Sequence, residues 1–184
     1  MSVVTALPQQ QPGRPFTRAD LESMPDDGRR YELVDGCLLV TPAPSPLHQN
    51  AVGRLYRLLD DAAPPDMQVL FAPLDVVPAE DTAMQPDVLV GRRSAFTAKE
   101  LAGAPLLAVE VLSRSTRSFD LGAKRERYER AGTPAYWVFD PTTVRLRAWD
   151  LREGEFVLVA DVTGDEAYAA AVPFPVTVVP ATLV

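Results

Sequence analysis

The sequence predicts an α/β fold in which one mixed β-sheet is flanked by helices. Helical and strand patterns follow one another in mixed order along the chain, which favours a sheet covered by helices. A length of 184 residues, of which 47% are hydrophobic and 23% charged, suits one compact domain. We predict that this single domain covers residues 16–184 and that the Pro- and Gln-rich residues 1–15 form a disordered lead.

The chain opens with signals for a short helix and a hairpin. Residues 16–22 read as a helix start, with Thr17 as the N-cap and Asp20 three positions later, close to a capping box. Two apolar runs within 31–40 flank the pair Asp35-Gly36, which is typical of a tight type I′ turn. We therefore predict a β-hairpin over this stretch.

Two longer helices and a series of strands are predicted after the hairpin. Apolar residues recur with helical spacing over 47–61, before a pair of prolines that ends the helix, and a further helix over 119–131 closes at Gly132. The predicted strands are short apolar runs at 69–71, 74–77, 87–90, 106–112, 136–139, 144–149 and 155–160. The last two form a hairpin or edge strands.

Charge and cysteine content limit the class of protein. The net charge of -7 and the pI of about 4.7 argue against a protein that coats nucleic acid. The charge is segregated, however, because six basic and three acidic residues lie between 114 and 130, which is compatible with a nuclease. Cys37 is single, so no intrachain disulfide forms, and no apolar run reaches the roughly 18–20 residues of a membrane span. We expect a cytoplasmic protein.

Two acidic residues, Glu110 and Asp87, lie in predicted strands, where burying a carboxylate costs free energy. Glu110 interrupts an apolar run that a central strand would bury, and Asp87 opens another predicted strand directly after Pro86. A buried carboxylate must be paired, hydrogen-bonded or bound to metal. Each acid alone is compatible with a structural role, such as an ion pair or a turn. Together they predict a site for a hard cation such as Mg²⁺, which prefers carboxylate oxygens.

A nuclease that uses such a cation site would also need a lysine close to the two acids. On a strand, a lysine two residues after Glu110 would share its face, but that position holds Leu112. The next lysine is Lys124 on the following predicted helix, from which an amine can reach the end of the preceding strand. It would orient the attacking water or neutralise charge on a phosphate, whereas the alternative is a solvated helix lysine.

Other site types receive less support. One histidine and one cysteine make a zinc site of nitrogen and sulfur ligands implausible, and neither a phosphate-binding glycine loop nor a Gly-x-Ser-x-Gly motif is present. His48 begins the second helix and either contacts phosphate or bonds a nearby acid. Arg114 and Arg117 follow the Glu110 strand and are candidate phosphate ligands, and Asp120 is predicted to cap the next helix.

These residues together resemble the Uma2 family of endonucleases, once a domain of unknown function, in the PD-(D/E)xK nuclease superfamily. The similarity spans roughly residues 16–149. It rests on the order and spacing of short motifs, namely Tyr31-Glu32-Leu33-Val34-Asp35-Gly36, Pro46-Leu47-His48-Gln49, Pro86-Asp87, Glu110-Val111-Leu112-Ser113, Asp120, Lys124, Tyr128, Gly132, Tyr136-Trp137 and Asp140-Pro141.

The resemblance implies a restriction-endonuclease-like fold and a site that cleaves phosphodiesters. It implies that Asp87 and Glu110 bind the metal, that Lys124 is a lysine displaced from the strand to the helix, and that Glu32 completes the acidic cluster. We therefore expect an endonuclease that acts on DNA with Mg²⁺ or Mn²⁺. The alternative is an inactive nuclease-fold module that binds a protein or nucleic acid. We further expect a homodimer and no membrane association.

Overall fold

The computed structural model describes residues 14–184, so most of the predicted disordered lead lies outside the described residues. These residues contain four α-helices, namely α1 Arg18–Glu22, α2 Pro46–Ala62, α3 Arg117–Leu121 and α4 Ala123–Arg130. Thirteen strands are present in the same range, namely β1 Arg30–Val34, β2 Cys37–Thr41, β3 Met67–Phe71, β4 Asp75–Ala79, β5 Thr82–Met84, β6 Val88–Arg92, β7 Glu100–Ala102, β8 Leu107–Val111, β9 Ala135–Asp140, β10 Arg145–Arg152, β11 Glu155–Thr163, β12 Tyr168–Ala170 and β13 Val176–Val178. Two 3₁₀ turns cover Arg93–Ala95 and Pro180–Leu183.

The strands form two main sheets and a small hairpin. A six-stranded sheet has the order β11-β10-β9-β8-β6-β3, and a five-stranded sheet has the order β2-β1-β5-β4-β7. Strands β8 and β9 pair in parallel, as do β4 and β7, while the other neighbours are antiparallel. The predicted class of mixed sheet with flanking helices is confirmed, although the prediction of one sheet missed the second.

The central strands of the six-stranded sheet, β6, β8 and β9, are buried on both faces. One face packs against α2 and the β12–β13 hairpin in a core that includes Leu55, Val109 and Trp137. The opposite face packs against α4 and the five-stranded sheet in a second core that includes Ala108 and Leu112. Glu110 shares the face of Ala108 and Leu112, as the strand alternation predicts, and it therefore points between the two sheets.

The predicted start of the chain is confirmed in detail. Thr17 accepts a hydrogen bond from the Asp20 main chain, and the Asp20 carboxylate bonds back to the Thr17 main chain, which is a capping box. The β1–β2 hairpin turns at Asp35 and Gly36, whose φ angles of 49° and 75° are those of a type I′ turn. This hairpin fixes the position of Glu32, which lies in the middle of β1.

The third predicted helix is wrong in one respect, because it is broken into α3 and α4 at Gly122. A Cβ at this glycine would lie 2.8 Å from the main-chain oxygen of Ser118, so a side chain would force the main chain to shift. The prediction that Asp120 caps this helix is also wrong, because the helix begins earlier, at Arg117. The residue before α3 is Thr116, and Asp120 lies inside the helix and is buried rather than capping it.

Several short elements were not predicted. Strands β5 and β7 have only three residues each, and β12 and β13 lie in a stretch without a clear apolar alternation. Strands of this length are defined by their partners rather than by their own sequence. Within residues 14–184, no helix is both long and apolar enough to cross a membrane.

Candidate active site

Glu110 and Lys124 meet in the space between the two sheets. Glu110 lies near the end of β8 and is 1% exposed, and Lys124 lies on α4 and is completely buried. The Lys124 Nζ donates a hydrogen bond of 3.1 Å to Glu110 Oε1. The helix thus delivers an amine to the carboxylate whose own strand offers Leu112 instead of lysine.

Glu32 enters the same cluster from the other sheet. Its Oε1 lies 2.8 Å from Lys124 Nζ and accepts a hydrogen bond of 2.7 Å from the main chain of Gln85. The side chain is fully buried. Because Glu32 belongs to β1 and Glu110 to β8, the ammonium group of Lys124 joins carboxylates from the two sheets.

Asp87 occupies the position before β6 and is hydrogen-bonded through both oxygens. Its Oδ2 accepts a 2.8 Å hydrogen bond from the main chain of Val111 and lies 3.2 Å from His48 Nε2. Its Oδ1 accepts a 3.0 Å hydrogen bond from Arg30 Nη1. Since Val111 follows Glu110 in β8, the Asp87 carboxylate is fixed beside the Glu110 strand. All four predicted catalytic residues are therefore brought together.

Two charged members of the cluster were missed by the sequence analysis as site residues. Arg30 Nε lies 3.5 Å from Glu32 Oε2, and Asp120 Oδ1 lies 3.7 Å from Lys124 Nζ. Spacing alone could have found both. Arg30 is two residues before Glu32 on the same face of a strand, and Asp120 is four residues before Lys124 in a helical segment.

The acids of the cluster have different proton affinities. Burial raises the pKa of Glu110 well above its ordinary range, and the charges of Asp120, Asp87 and Glu32 add to this, against the opposing charge of Lys124. Burial likewise raises the pKa of Asp120 to about 6. Burial also acts to raise the pKa of Asp87, but the hydrogen bond from His48 and the charge of Arg30 outweigh it and lower the pKa to about 2.

Both cations of the cluster remain charged. Burial would lower the pKa of Lys124, but the charges of Glu110, Glu32 and Asp120 outweigh it and raise the pKa above its ordinary value. The pKa of Arg30 is raised in the same way, because the charges of Glu32 and Asp87 overcome its burial. Lys124 therefore acts as a hydrogen-bond donor and a positive charge, and it cannot accept a proton near neutral pH.

The cluster lies beside a cleft of about 970 Å³. Asp87, Arg30 and His48 line the cleft, whereas Glu32, Glu110 and Lys124 do not. The wall also includes parts of α1, the Pro-rich loop before α2, and the loop that follows β8. Asp87 and Arg30 are thus the charged groups of the cluster that a molecule in the cleft meets first.

The three predicted nucleic-acid contacts are placed differently. His48 lines the cleft and its Nε2 bonds Asp87. Because Asp87 is ionised and accepts only, Nε2 carries the proton, and the buried Nδ1 has no hydrogen-bond partner among the described residues. Arg114 is exposed and lines the cleft, whereas Arg117 is outside its wall and donates a 2.7 Å hydrogen bond to Asp140.

The acids do not form a closed metal cage as they stand. Within residues 14–184, no three His, Cys, Asp or Glu side chains are arranged to hold a metal ion. Their carboxylates pair instead with Lys124, Arg30 and His48. The pairing is incomplete, however, because Glu32 Oε2 and Asp120 Oδ1 are buried and accept no hydrogen bond within this range.

Comparisons with known proteins agree on the type of fold. Residues 18–179 match the model of the Uma2 family, which is described as "Putative restriction endonuclease". A crystal structure described as a "putative nuclease belonging to DUF820" from Anabaena variabilis is similar over 92% of this chain and 97% of its own, with a TM-score of 0.71 and 19% identity. None of the curated proteins matches.

Proposed function

This chain belongs to the Uma2 family, and we propose that it is a metal-dependent endonuclease that hydrolyses phosphodiester bonds in DNA. Family and fold both point to a nuclease. The observation that supports the finer assignment is the convergence of Glu32, Asp87, Glu110 and Lys124 in one buried cluster beside a cleft. Buried acids at this density are costly for stability, and such clusters concentrate at functional sites.

The donor set of the cluster fits a divalent cation. Four carboxylates face two permanent cations, Lys124 and Arg30, so the ionised cluster carries two negative charges in excess. Glu32 Oε2 and Asp120 Oδ1 are buried and accept no hydrogen bond within residues 14–184, and carboxylate oxygens are the hard ligands that Mg²⁺ and Mn²⁺ prefer. Asp87 and Glu110 would hold the ion, with Glu32 as a further ligand or as a partner of the ligands. When bound, the ion supplies Lewis acidity that promotes ionisation of water and neutralises phosphate charge.

The residues of the chain prepare the site for hydrolysis. Lys124 holds Glu32 and Glu110 together through its Nζ and provides a fixed positive charge for the negative charge that develops on a phosphate. His48 donates from Nε2 to Asp87 and, with the main chain of Val111, keeps that carboxylate oriented toward Glu110. Leu112, at the position where a lysine was expected, packs in the core between the sheets and also lines the cleft.

DNA would approach through the cleft, in which Arg114 is exposed beside the hydroxyl groups of Ser113 and Ser115. These groups are suited to phosphate contacts that position the strand without reading its sequence. Nucleases that cut both strands of a duplex often use two such sites, and a homodimer, which we include in the proposal, would supply them.

Plasmid nicking tests the proposal. Purified wild-type protein should convert supercoiled plasmid to the open circle with Mg²⁺ or Mn²⁺ and not with EDTA. The Asp87→Asn and Glu110→Gln proteins should lose activity by more than the roughly 10–100-fold typical of outer-shell residues around a metal. Glu22→Gln is the matched control, because Glu22 is an exposed acid of the same cleft outside the cluster.

The outcomes separate the nuclease from its rival. Full nicking by folded Asp87→Asn and Glu110→Gln proteins would place the activity elsewhere or in a contaminant. A wild-type protein that neither binds Mn²⁺ nor cuts DNA or RNA would favour the nuclease-fold binding module. Cleavage of RNA but not DNA would correct the substrate while leaving the catalytic site in place.

A further inference from the structure

Arg30 stands at the boundary between the acidic cluster and the cleft. Its side chain is 21% exposed and lines the cleft, whereas Lys124, the other permanent cation of the cluster, is 0% exposed. Arg30 is thus the cation of the cluster that can contact both the acids and a molecule bound in the cleft.

The guanidinium group of Arg30 is held by carboxylates that the proposed function assigns to the metal. Nη1 donates to Asp87 Oδ1 at 3.0 Å and to the main chain of Gln85 at 3.3 Å. Nε lies 3.5 Å from Glu32 Oε2 and donates to Thr41 Oγ1 at 3.4 Å. Nη2 has no hydrogen-bond partner within residues 14–184.

The other hydrogen bonds of Asp87 make the contact between Arg30 and Asp87 Oδ1 important for cation binding. Its Oδ2 already faces the main chain of Val111 and the ring of His48, so Oδ1 has more capacity for a further ligand bond. A cation at Oδ1 would lie beside the guanidinium group of Arg30. Two cations at that separation repel, and little water screens them because Asp87 is buried.

We propose that Arg30 is the counter-cation of the metal-free site, that it competes with the divalent ion for Asp87 and Glu32, and that it binds a substrate phosphate in the cleft. The proposal rests on the proposed function for the identity of the ion and of the substrate. A planar guanidinium group matches a phosphate through two parallel hydrogen bonds, and Arg30 has Nη2 without a partner for this purpose.

Mn²⁺ titration by calorimetry tests the competition directly. Arg30→Gln should bind Mn²⁺ about fivefold more tightly than the wild type, since a competing ion pair has been removed. Arg29→Gln is the matched control. Arg29 lines the same cleft and carries the same charge, but it is exposed and pairs with Asp27 at 3.6 Å. It should leave Mn²⁺ affinity within about twofold of wild type, because exposed charges are well screened.

Steady-state nicking at saturating Mn²⁺ tests the phosphate contact. Arg30→Gln should raise KM for plasmid by at least about tenfold, the size expected for a lost hydrogen bond to a charged group. Arg30→Lys keeps the charge but loses the fork of donors. It should bind Mn²⁺ within about twofold of wild type and still raise KM. Arg30→Lys also tests the phosphate contact if the Arg30→Gln protein does not fold.

A structural role for Arg30 gives a different pattern. Equal or weaker Mn²⁺ binding by folded Arg30→Gln overturns the competition, as does an equal gain in affinity in Arg29→Gln. An unchanged KM in Arg30→Lys overturns the phosphate contact, and a failure of all the proteins to bind Mn²⁺ overturns the whole inference. If the wild type nicks DNA and Asp87→Asn does not, the proposed function stands whatever the result for Arg30.

Discussion

Replacing Lys124 by methionine should cost the metal-free protein much of its stability. The methionine keeps the apolar stem but removes an ammonium group that lies 2.8 Å from Glu32, 3.1 Å from Glu110 and 3.7 Å from Asp120. Removing one partner of a buried ion pair typically costs about 3–5 kcal/mol, because the other charges remain buried without compensation. For a domain of this size we expect the melting temperature in EDTA to fall by about 6–20 °C.

The loss should depend on pH in a defined direction. Without Lys124, the pKa of Glu110 rises further above its value in the unfolded chain. A group whose pKa is raised by folding contributes its stability below the unfolded pKa and loses it as pH rises through the folded pKa. The deficit of Lys124→Met should therefore be larger at pH 8 than at pH 5, and Mn²⁺ should restore part of it.

Urea unfolding followed by circular dichroism measures this effect at both pH values, with and without EDTA. Lys99→Met is the matched control, because Lys99 is exposed and should change stability by less than about 0.5 kcal/mol. A Lys124→Met protein within about 1 kcal/mol of the wild type at pH 8 would show that the stability of the buried acids does not depend on that charge.

Two further predictions concern the acidic cluster and the helix break. The pKa of Asp120 is raised to about 6, so its contribution to stability is present below its ordinary value of 3.8 and is lost as pH rises through about 6. In EDTA at pH 8, the free energy of unfolding of Asp120→Asn should therefore be about 2 kcal/mol higher than that of the wild type, and at pH 4 the two should be equal. A free energy of unfolding lower than that of the wild type at pH 8 would contradict this. Gly122→Ala should destabilise the protein by about 1–3 kcal/mol in thermal unfolding, because its Cβ would lie 2.8 Å from Ser118 O; a neutral result would show that the main chain there relaxes freely.

Local sequence signals were sufficient for much of the fold. The capping box at Thr17, the Asp35-Gly36 turn and the apolar spacing of α2 each specify an element through contacts within a few residues. The second sheet was missed for the opposite reason. Its strands β5 and β7 have three residues each and exist because β4 lies between them. Pairing between distant segments leaves no periodic pattern in so short a strand.

The cluster was predicted through residues that violate local rules. Glu110 in an apolar strand signalled a site because burial of a lone carboxylate is unfavourable, and the absence of a lysine at Leu112 directed attention to Lys124. Arg30 and Asp120 violate no local rule, because an arginine in a hairpin strand and an acid in a first helical turn are both ordinary. Their spacing from Glu32 and Lys124 was the available signal, and the packing of the two sheets shows the contacts that each makes.

Whether the buried acidic cluster binds a divalent ion can be measured by calorimetric titration of Mn²⁺ into the wild-type and Glu110→Gln proteins. We expect the wild-type chain to bind at least one divalent ion in a saturable manner. We expect that binding to be lost in a Glu110→Gln protein that is folded by circular dichroism. Absence of binding to the wild type, or the same affinity in both proteins, would contradict the assignment of the buried acidic cluster as a metal site.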